Sequence, residues 1–401
     1  MSPQCRNERT ATRRATAVAR AGWLLFLIGL PFSIAGSQIA LTLCSAAAVL
    51  ALVFGRRRPP PLPLAWPVSL FIAISLLAIF ASEDPTRSLR DLRGLILLIA
   101  LYLPVVLVQE TEDLERSLAL ACAAGALLAA IGLGQYLAGP GGVEGRLTGF
   151  HHWLTTAGQL MILSLLGFSR LLFGGGARRW VWGGGLLLIC AALAFGFARS
   201  AWLGTAAGVG CLLLRRRSRL AWALAVLALV AVLMVPALRH RLLGLGNVDD
   251  PSVRNRLALL VSGAEMVRDH PLLGVGPNLA SRIYPRYRRD WAPEPGAPHL
   301  HNDPLMVAAE RGLLGLAAWL LWMGAACRSC WRAARSGIEP HWCMEGALAA
   351  LIGFLVAGLF EYNFGDSEIL MLVFPIMALP DVAARTRKER GQAPNLEPPG
   401  S

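Results

Sequence analysis

Residues 64–81, LAWPVSLFIAISLLAIFA, decide the fold class. This run contains no acidic or basic side chain, and a helix of about 20 apolar residues is long enough to cross the hydrocarbon core of a bilayer. Comparable runs recur along the chain, for example at residues 114–137 and 153–173. The pattern therefore predicts a membrane protein with many transmembrane helices.

The composition leads to the same conclusion. The 401 residues are 55% hydrophobic and 16% charged, with a mean hydropathy of +0.53, whereas soluble globular domains carry about 25% charged residues. Because the apolar residues lie in long runs, intrinsic disorder is excluded together with a water-soluble enzyme. We expect an all-α, polytopic integral membrane protein.

Twelve runs are predicted to span the membrane, and the first and eighth are short. They are residues 21–35, 37–54, 64–81, 92–108, 114–137, 153–173, 180–198, 201–214, 220–235, 304–327, 344–360 and 369–382.

The arginines predict the orientation of these spans. The chain has 38 basic and 25 acidic residues, a net charge of +13, and Lys388 is its only lysine. With both termini cytoplasmic, 23 basic residues fall in the inner segments, six in the short outer loops and nine in one long outer loop, residues 236–303. Since long loops translocate regardless of charge, the short loops decide, and they obey the positive-inside rule.

The predicted organisation has five parts. These are a cytoplasmic N-terminal segment at residues 1–20, transmembrane helices 1 to 9 at 21–235, the large outer loop at 236–303, transmembrane helices 10 to 12 at 304–382 and a cytoplasmic tail at 383–401.

The positions of the cysteines do not predict disulfides, and the amino end does not predict a cleaved signal peptide. Most cysteines lie in apolar runs, where they are small buried hydrophobes. Cys327 and Cys330, with His341 and Cys343, have a spacing that zinc could use, but the first pair lies at the inner end of a span. The arginine-rich amino end continues into further spans, unlike a cleavable signal. No metal site is predicted.

The long outer loop contains the residues most suggestive of chemistry. Residues 253–268 have apolar side chains at helical spacing, which predicts an amphipathic helix at the membrane surface. At the end of the loop stands His299-Leu300-His301-Asn302-Asp303-Pro304. Asp303 is suited to cap the next helix and Pro304 to occupy its first turn.

His301 then lies at a helix N-terminus on the outer surface. Such an end attracts anions, phosphate included, and disfavours imidazolium, so His301 is a candidate proton acceptor. A histidine that only makes hydrogen bonds within the loop is an equal alternative.

From this point the sequence resembles the O-antigen ligases, within the superfamily that also contains O-antigen polymerases and some protein O-glycosylases. The resemblance covers residues 145–379. It rests on four motifs: His301-Asn302 followed after nine residues by Gly312-Leu313-Leu314-Gly315, Arg199-Ser200-Ala201-Trp202, Arg256 ahead of residues 269–276 (DHPLLGVG), and residues 360–366 (FEYNFGD). Pro304 and Leu305 depart from the usual pattern, in which an aromatic residue precedes a leucine.

The resemblance implies a GT-C-like, metal-independent, inverting glycosyltransferase of the bacterial inner membrane. Such an enzyme moves a polysaccharide from undecaprenyl diphosphate, the donor, to the lipid A-core oligosaccharide, the acceptor, at the periplasmic face. It needs no cofactor. Membrane lipids are its other expected partners, and nucleic acid is not expected.

The resemblance also assigns catalytic residues: His301, Arg199 and Arg256. A diphosphate leaving group without a metal needs fixed cations, and guanidinium binds its oxygens in a bidentate manner. An arginine such as Arg199, placed at headgroup level, is costly and usually functional. Snorkelling to a phospholipid is its structural alternative.

Eight further residues are predicted to bind substrate, each with a structural alternative. Arg254, two residues from Arg256, points to another helix face, and Arg286 belongs to a run of arginines that is often a solvated surface. Glu310 could instead form a structural pair with Arg311. Asp366, like Glu361, could lie in a solvated turn, and His152 fits the start of a helix. The complete set is Arg146, His152, Arg254, Arg286, His299, Asn302, Glu310 and Asp366.

Two rivals remain on sequence alone. Within the superfamily, a polymerase normally has a second large arginine-rich loop, and a protein O-oligosaccharyltransferase often has a larger soluble C-terminal part. From another class, a lipid-linked sugar transporter or flippase would show broken spans with polar residues near the bilayer midplane. The unusual groups here collect at the outer rim, which favours an interfacial enzyme.

Overall fold

The computed structural model describes residues 3–56, 58–139, 146–176, 178–219, 221–223, 225, 226, 234 and 251–389. Within these ranges the chain is helical and contains no β-strand. The α-helices are α1 Pro3–Gly29, α2 Ile34–Phe54, α3 Ala65–Phe80, α4 Pro85–Ser88, α5 Leu92–Leu95, α6 Ile99–Leu107, α7 Thr111–Ala138, α8 Trp153–Phe173, α9 Arg179–Phe195, α10 Arg199–Arg216, α11 Pro251–Asp269, α12 Ala280–Tyr287, α13 Asp303–Arg335, α14 His341–Gly358, α15 Ser367–Met377 and α16 Leu379–Glu389.

Six segments of the described chain are long and apolar enough to cross a membrane: α2, α7, α8, α13, α14 and the region Ser367–Lys388 formed by α15 and α16. Three shorter apolar helices accompany them: α3, α9 and Ile96–Leu107. Most of the predicted span 220–235 lies outside the described residues, as do residues 236–250 of the loop and the tail beyond residue 389.

The centre of the bundle is formed by α8 and α14, which pack against each other and against α10. Small residues permit this close approach. A Cβ at Gly208 of α10 would press against the Ala349 carbonyl of α14, and one at Gly353 of α14 would meet the Gly204 carbonyl. Close backbone contact through glycine is the usual way in which membrane helices pack tightly.

The segments that connect the helices lie at the two ends of the bundle, and their contacts show which of them share an end. At one end, Leu147 bonds the Phe195 carbonyl, Phe32 packs on Phe150, and Arg286 pairs with Glu83. Each of these segments was predicted to face outward.

At the opposite end lie segments predicted to face inward. Arg20 donates to Gln109, Tyr102 to the Pro60 carbonyl and Arg215 to Glu345. These contacts join segments that were predicted to lie on the same side of the membrane, and the alternation of twelve spans stays a prediction.

Two predicted segments differ from expectation. The run 92–108 is divided into α5, a 3-10 turn at Ile96–Leu98 and α6, and Gly94 within α5 weakens the helix just before the division. The predicted N-terminal segment and first span are joined in one helix, α1.

The long helix α13 is broken near its start by Gly312, whose φ of 67° and ψ of −175° are not helical. The break leaves the Ala309 and Glu310 carbonyls free to accept hydrogen bonds from Val275 and Gly276, both at about 3 Å. The motif at residues 269–276 is thereby fixed to the start of α13. Because a Cβ on Gly312 would overlap the Leu272 carbonyl, only glycine fits there.

Candidate functional site

Helix α11 confirms the helix expected at residues 253–268, and its two arginines differ in burial. Arg254 is exposed, whereas Arg256, two residues further, is partly buried. The buried face of α11, including Asn255 and Leu259, packs against α13, so this face is covered by protein. Arg256 is therefore directed inward, and Arg254 is not.

A tight turn places His301 ahead of α13. His301 has a φ of +49°, and the next residue, Asn302, is the helix cap: its side-chain oxygen accepts from the Leu305 N–H at 2.8 Å, and its amide donates to the Leu359 carbonyl at 2.8 Å. The prediction that Asp303 caps this helix was wrong. Asp303 is buried inside the first turn and accepts from the Phe364 N–H at 2.8 Å. It thus joins α13 to the last hairpin, which consists of α14, α15 and the connection between them.

His301 is bound to Glu361. The distance between His301 Nδ1 and Glu361 Oε1 is 2.7 Å, and Arg256 approaches the other carboxylate oxygen at 3.6 Å. The ring of His299 contacts that of His301, with centroids 4.2 Å apart, and its Nδ1 lies 3.7 Å from Glu361. Three segments distant in sequence thus meet in one partly buried cluster around Glu361.

The carboxylate fixes the proton on His301. Burial raises the pKa of Glu361, but the hydrogen bond from His301 and the electrostatic interactions with His301, His299 and Arg256 outweigh burial, so its pKa lies below its ordinary value. Glu361 is therefore ionised at neutral pH and accepts, which requires the hydrogen on His301 Nδ1. Nε2 of a neutral His301 then carries the lone pair.

His299 has a different character. Burial, followed by repulsion from His301, lowers the pKa of His299 to about 4. This imidazole is neutral at pH 7 and can donate or accept a hydrogen bond, but it is a poor proton acceptor.

Three arginines surround a cavity of about 190 Å³ that His301 also lines. We call it the arginine cavity; its basic side chains are Arg146, Arg199 and Arg256. Arg199 is the first residue of α10, and the Arg146 guanidinium lies 4.0 Å above the Trp153 ring, a stacking that arginine favours. Such a cavity is suited to bind a phosphate-rich anion next to a base.

A comparison with protein families finds that residues 184–320 match the model described as O-antigen ligase. This part of the chain is thus similar to the O-antigen ligases. This match confirms the family resemblance seen in the sequence. No curated protein matches the chain.

The matched region contains Arg199, Arg256 and His301, and the structure brings all three to the arginine cavity. Arg146 joins them from outside the matched region. His152 lies nearby, where its Nδ1 caps α8 by accepting from the Leu154 N–H at 3.4 Å.

Other predicted substrate-binding residues lie elsewhere. Arg286 is exposed and bonds Glu83 at 2.8 Å, so it attaches α12 to the loop after α3. Glu310 pairs with Arg311 at 3.0 Å, the structural alternative considered for it. Asp366 caps α15 and accepts from Thr155 at 2.6 Å, and burial together with Glu368 raises the pKa of Asp366 to about 6.

On sequence alone Glu361 was expected to lie in a solvated turn, whereas its side chain is buried and forms a hydrogen bond with His301. The motif at residues 360–366 was the available signal. Three polar residues that line the arginine cavity carried no signal in the sequence: Ser252, Asn255 and Glu294.

The ligand atoms of His299, His301 and Glu361 lie within 4.8 Å of one another, a spacing compatible with a metal ion. Zinc does bind two histidines and one carboxylate in other enzymes. Here, however, the Glu361 carboxylate already accepts a hydrogen bond from His301 and faces Arg256. A divalent cation would have to replace the hydrogen bond from His301, and the positive charge of Arg256 would repel it.

Proposed function

We propose that this protein is an O-antigen ligase, which transfers a polysaccharide from undecaprenyl diphosphate to the lipid A-core oligosaccharide at the periplasmic face of the inner membrane. The observation that carries the proposal is the meeting of three arginines and a carboxylate-bound histidine in one cavity. The reaction needs these two elements: fixed positive charge for a diphosphate and a base for a sugar hydroxyl.

The arginines serve the donor. Arg199 and Arg256 hold the diphosphate, and their charge stabilises the negative charge that develops as the bond between the anomeric carbon and the phosphate oxygen breaks. Guanidinium remains charged throughout and matches phosphate oxygens in a bidentate manner. With this charge supplied by the protein, the transfer is metal-independent, and a chelator should leave the rate unchanged.

His301 serves the acceptor. Its Nε2 removes the proton from the acceptor hydroxyl while the oxygen attacks the anomeric carbon from the side opposite the diphosphate, so the configuration inverts. Glu361 stabilises the imidazolium that forms, and the proton then leaves to solvent. A base placed in this way contributes about 10²–10⁴-fold in rate.

The lipopolysaccharide of a deletion strain tests the function. Loss of O-antigen from the core, with undecaprenyl-linked chains accumulating, is expected of a ligase. A core capped by a single repeat would instead indicate a polymerase, and normal lipopolysaccharide would contradict both.

Complementation and a purified assay then test the base. His301→Ala should remain in the membrane and lose transfer, whereas His270→Ala, in the same loop but outside the cavity, should restore the wild-type ladder. His299→Ala should keep a substantial part of the maximal rate. Wild-type transfer by His301→Ala would remove the base from the mechanism.

A further inference from the structure

A second cavity adjoins the cluster through His299. Its volume is about 390 Å³, within the range of small-molecule sites, and it lies between α3, the divided segment 92–98, the start of α13 and the last hairpin. His299 lines this cavity, and His301 lines the arginine cavity. Since the two rings are in contact, the histidine pair lies between the two cavities.

The lining differs from that of the arginine cavity. Aromatic side chains, including Trp322, Tyr362 and Phe364, line the second cavity together with polar ones such as Asn278 and Ser281. This combination of ring faces and hydrogen-bonding groups suits a neutral, hydroxyl-rich molecule.

The charges in the second cavity disfavour other ligands. Arg311 bonds Glu310 at 3.0 Å and Ser75 at 3.1 Å, so its charge is compensated and gives little attraction for a phosphate. A lipid tail would cover the Ser281 hydroxyl and the His299 ring without offering either of them a hydrogen bond, which is unfavourable for polar groups.

We propose that the second cavity binds the terminal sugars of the acceptor oligosaccharide. The inference rests on the proposed function and adds the place from which the nucleophile approaches. His299, neutral at pH 7, bonds an acceptor hydroxyl from the cavity wall, and the reacting hydroxyl reaches His301 at the boundary. Donor diphosphate and acceptor sugar thus approach the histidine pair from separate cavities.

Two variants narrow the cavity without touching the arginines. Gly94 lines it, and a Cβ there would meet no atom within 4 Å, so Gly94→Leu adds bulk at the cavity wall without overlapping its neighbours. Ser281→Leu replaces a hydroxyl on another wall. Gly184→Leu is the matched control, since Gly184 has equal space but lies on α9, away from both cavities.

The assay uses the full chain in liposomes, with undecaprenyl-diphosphate-linked O-antigen as donor and lipopolysaccharide lacking O-antigen as acceptor. Gly94→Leu and Ser281→Leu should raise the KM for acceptor about tenfold, a loss of about 1.4 kcal/mol, while the KM for donor and kcat stay within about twofold. His299→Ala should show the same pattern. An increase in the KM for donor, or no change in either KM, would overturn the proposal.

A binding measurement separates this inference from the proposed function. In Ser281→Cys, free core oligosaccharide should protect the new thiol from a maleimide, and undecaprenyl diphosphate should not. Protection by undecaprenyl diphosphate alone, or by neither compound, would contradict an acceptor cavity. If the wild-type chain transfers nothing while the oligosaccharide still protects, the proposed reaction fails and the sugar site stands.

Discussion

At the scale of single residues, the contact between Glu361 and His301 governs the proposed chemistry. Glu361→Gln keeps the shape of the side chain but removes the charge that requires a hydrogen on Nδ1, so Nε2 no longer holds the lone pair consistently. We expect kcat to fall by about 10²–10⁴-fold with folding intact. Glu83→Gln, exposed at the same end, is the control, and transfer assays of purified protein compare the two. Equal rates for Glu361→Gln and wild type would contradict the positioning role.

The arginines give a second prediction. Arg199→Lys retains a positive charge but lacks the planar fork that binds two oxygens. We therefore expect Lys to restore little of the transfer lost in Arg199→Ala, and the same pair of changes at Arg256 to behave alike. Membrane content is measured by immunoblot and transfer by the lipopolysaccharide ladder. Full activity in Arg199→Lys would indicate that Arg199 only binds lipid headgroups and has no role in transfer.

The low pKa of His299, about 4 against an ordinary value near 6.5, predicts loss of stability in acid. Between these two values the unfolded chain binds a proton that the folded chain does not, so stability falls as the pH decreases from about 6.5 towards 4. At pH 5 the loss from this group is on the order of 1–2 kcal/mol.

Thermal unfolding in detergent measures this effect. The decrease in Tm between pH 7 and pH 5 should be smaller in His299→Gln than in wild type, while His270→Gln should behave as wild type. An equal decrease in all three proteins would assign the acid sensitivity to other groups.

At the scale of elements, the start of α13 depends on one glycine. Gly312→Ala forces a Cβ against the Leu272 carbonyl at a φ that only glycine adopts easily. We expect a loss of about 2–4 kcal/mol and a displaced loop, because Val275 and Gly276 bond carbonyls freed by this break. Gly324→Ala, later in α13 and with nothing within 4 Å of its Cβ, should be neutral or slightly stabilising. Thermal unfolding of both variants tests this contrast.

The same helix shows why local patterns predict some features and not others. The sequence around His301 predicted a helix start and its side of the membrane, because caps, prolines and hydropathy act over a few residues. It assigned the cap to Asp303 instead of Asn302, since both side chains can accept from the first turn and only packing against Phe364 decides between them. Likewise, the motif Gly312-Leu313-Leu314-Gly315 could not reveal that the backbone of Leu272 lies opposite Gly312.

At the scale of the whole molecule, hydropathy predicted the helical bundle because each span must be apolar along its length. The boundaries of α8 agree with the predicted run to the residue. The partners across the bundle were beyond such reasoning: Glu361 follows His301 by 60 positions, and the second cavity is formed by segments from residue 71 to residue 374. Family motifs indicated which residues matter, and the fold determined which of them meet.

The sorting of connecting segments into two ends leads to the last prediction. Cysteines are introduced at Gly296, an exposed position in the loop before α13, and at Ser336, exposed after the end of the same helix. If the cluster faces the periplasm, a membrane-impermeant maleimide should label Gly296→Cys, above the background of native cysteines, in cells whose outer membrane is permeable. Ser336→Cys should react only after lysis, because α13 is long enough to separate the two positions by a bilayer. The reverse pattern would place the arginine cavity in the cytoplasm, where the acceptor proposed here is not presented, and labelling of both positions in intact cells would show that α13 does not cross the membrane.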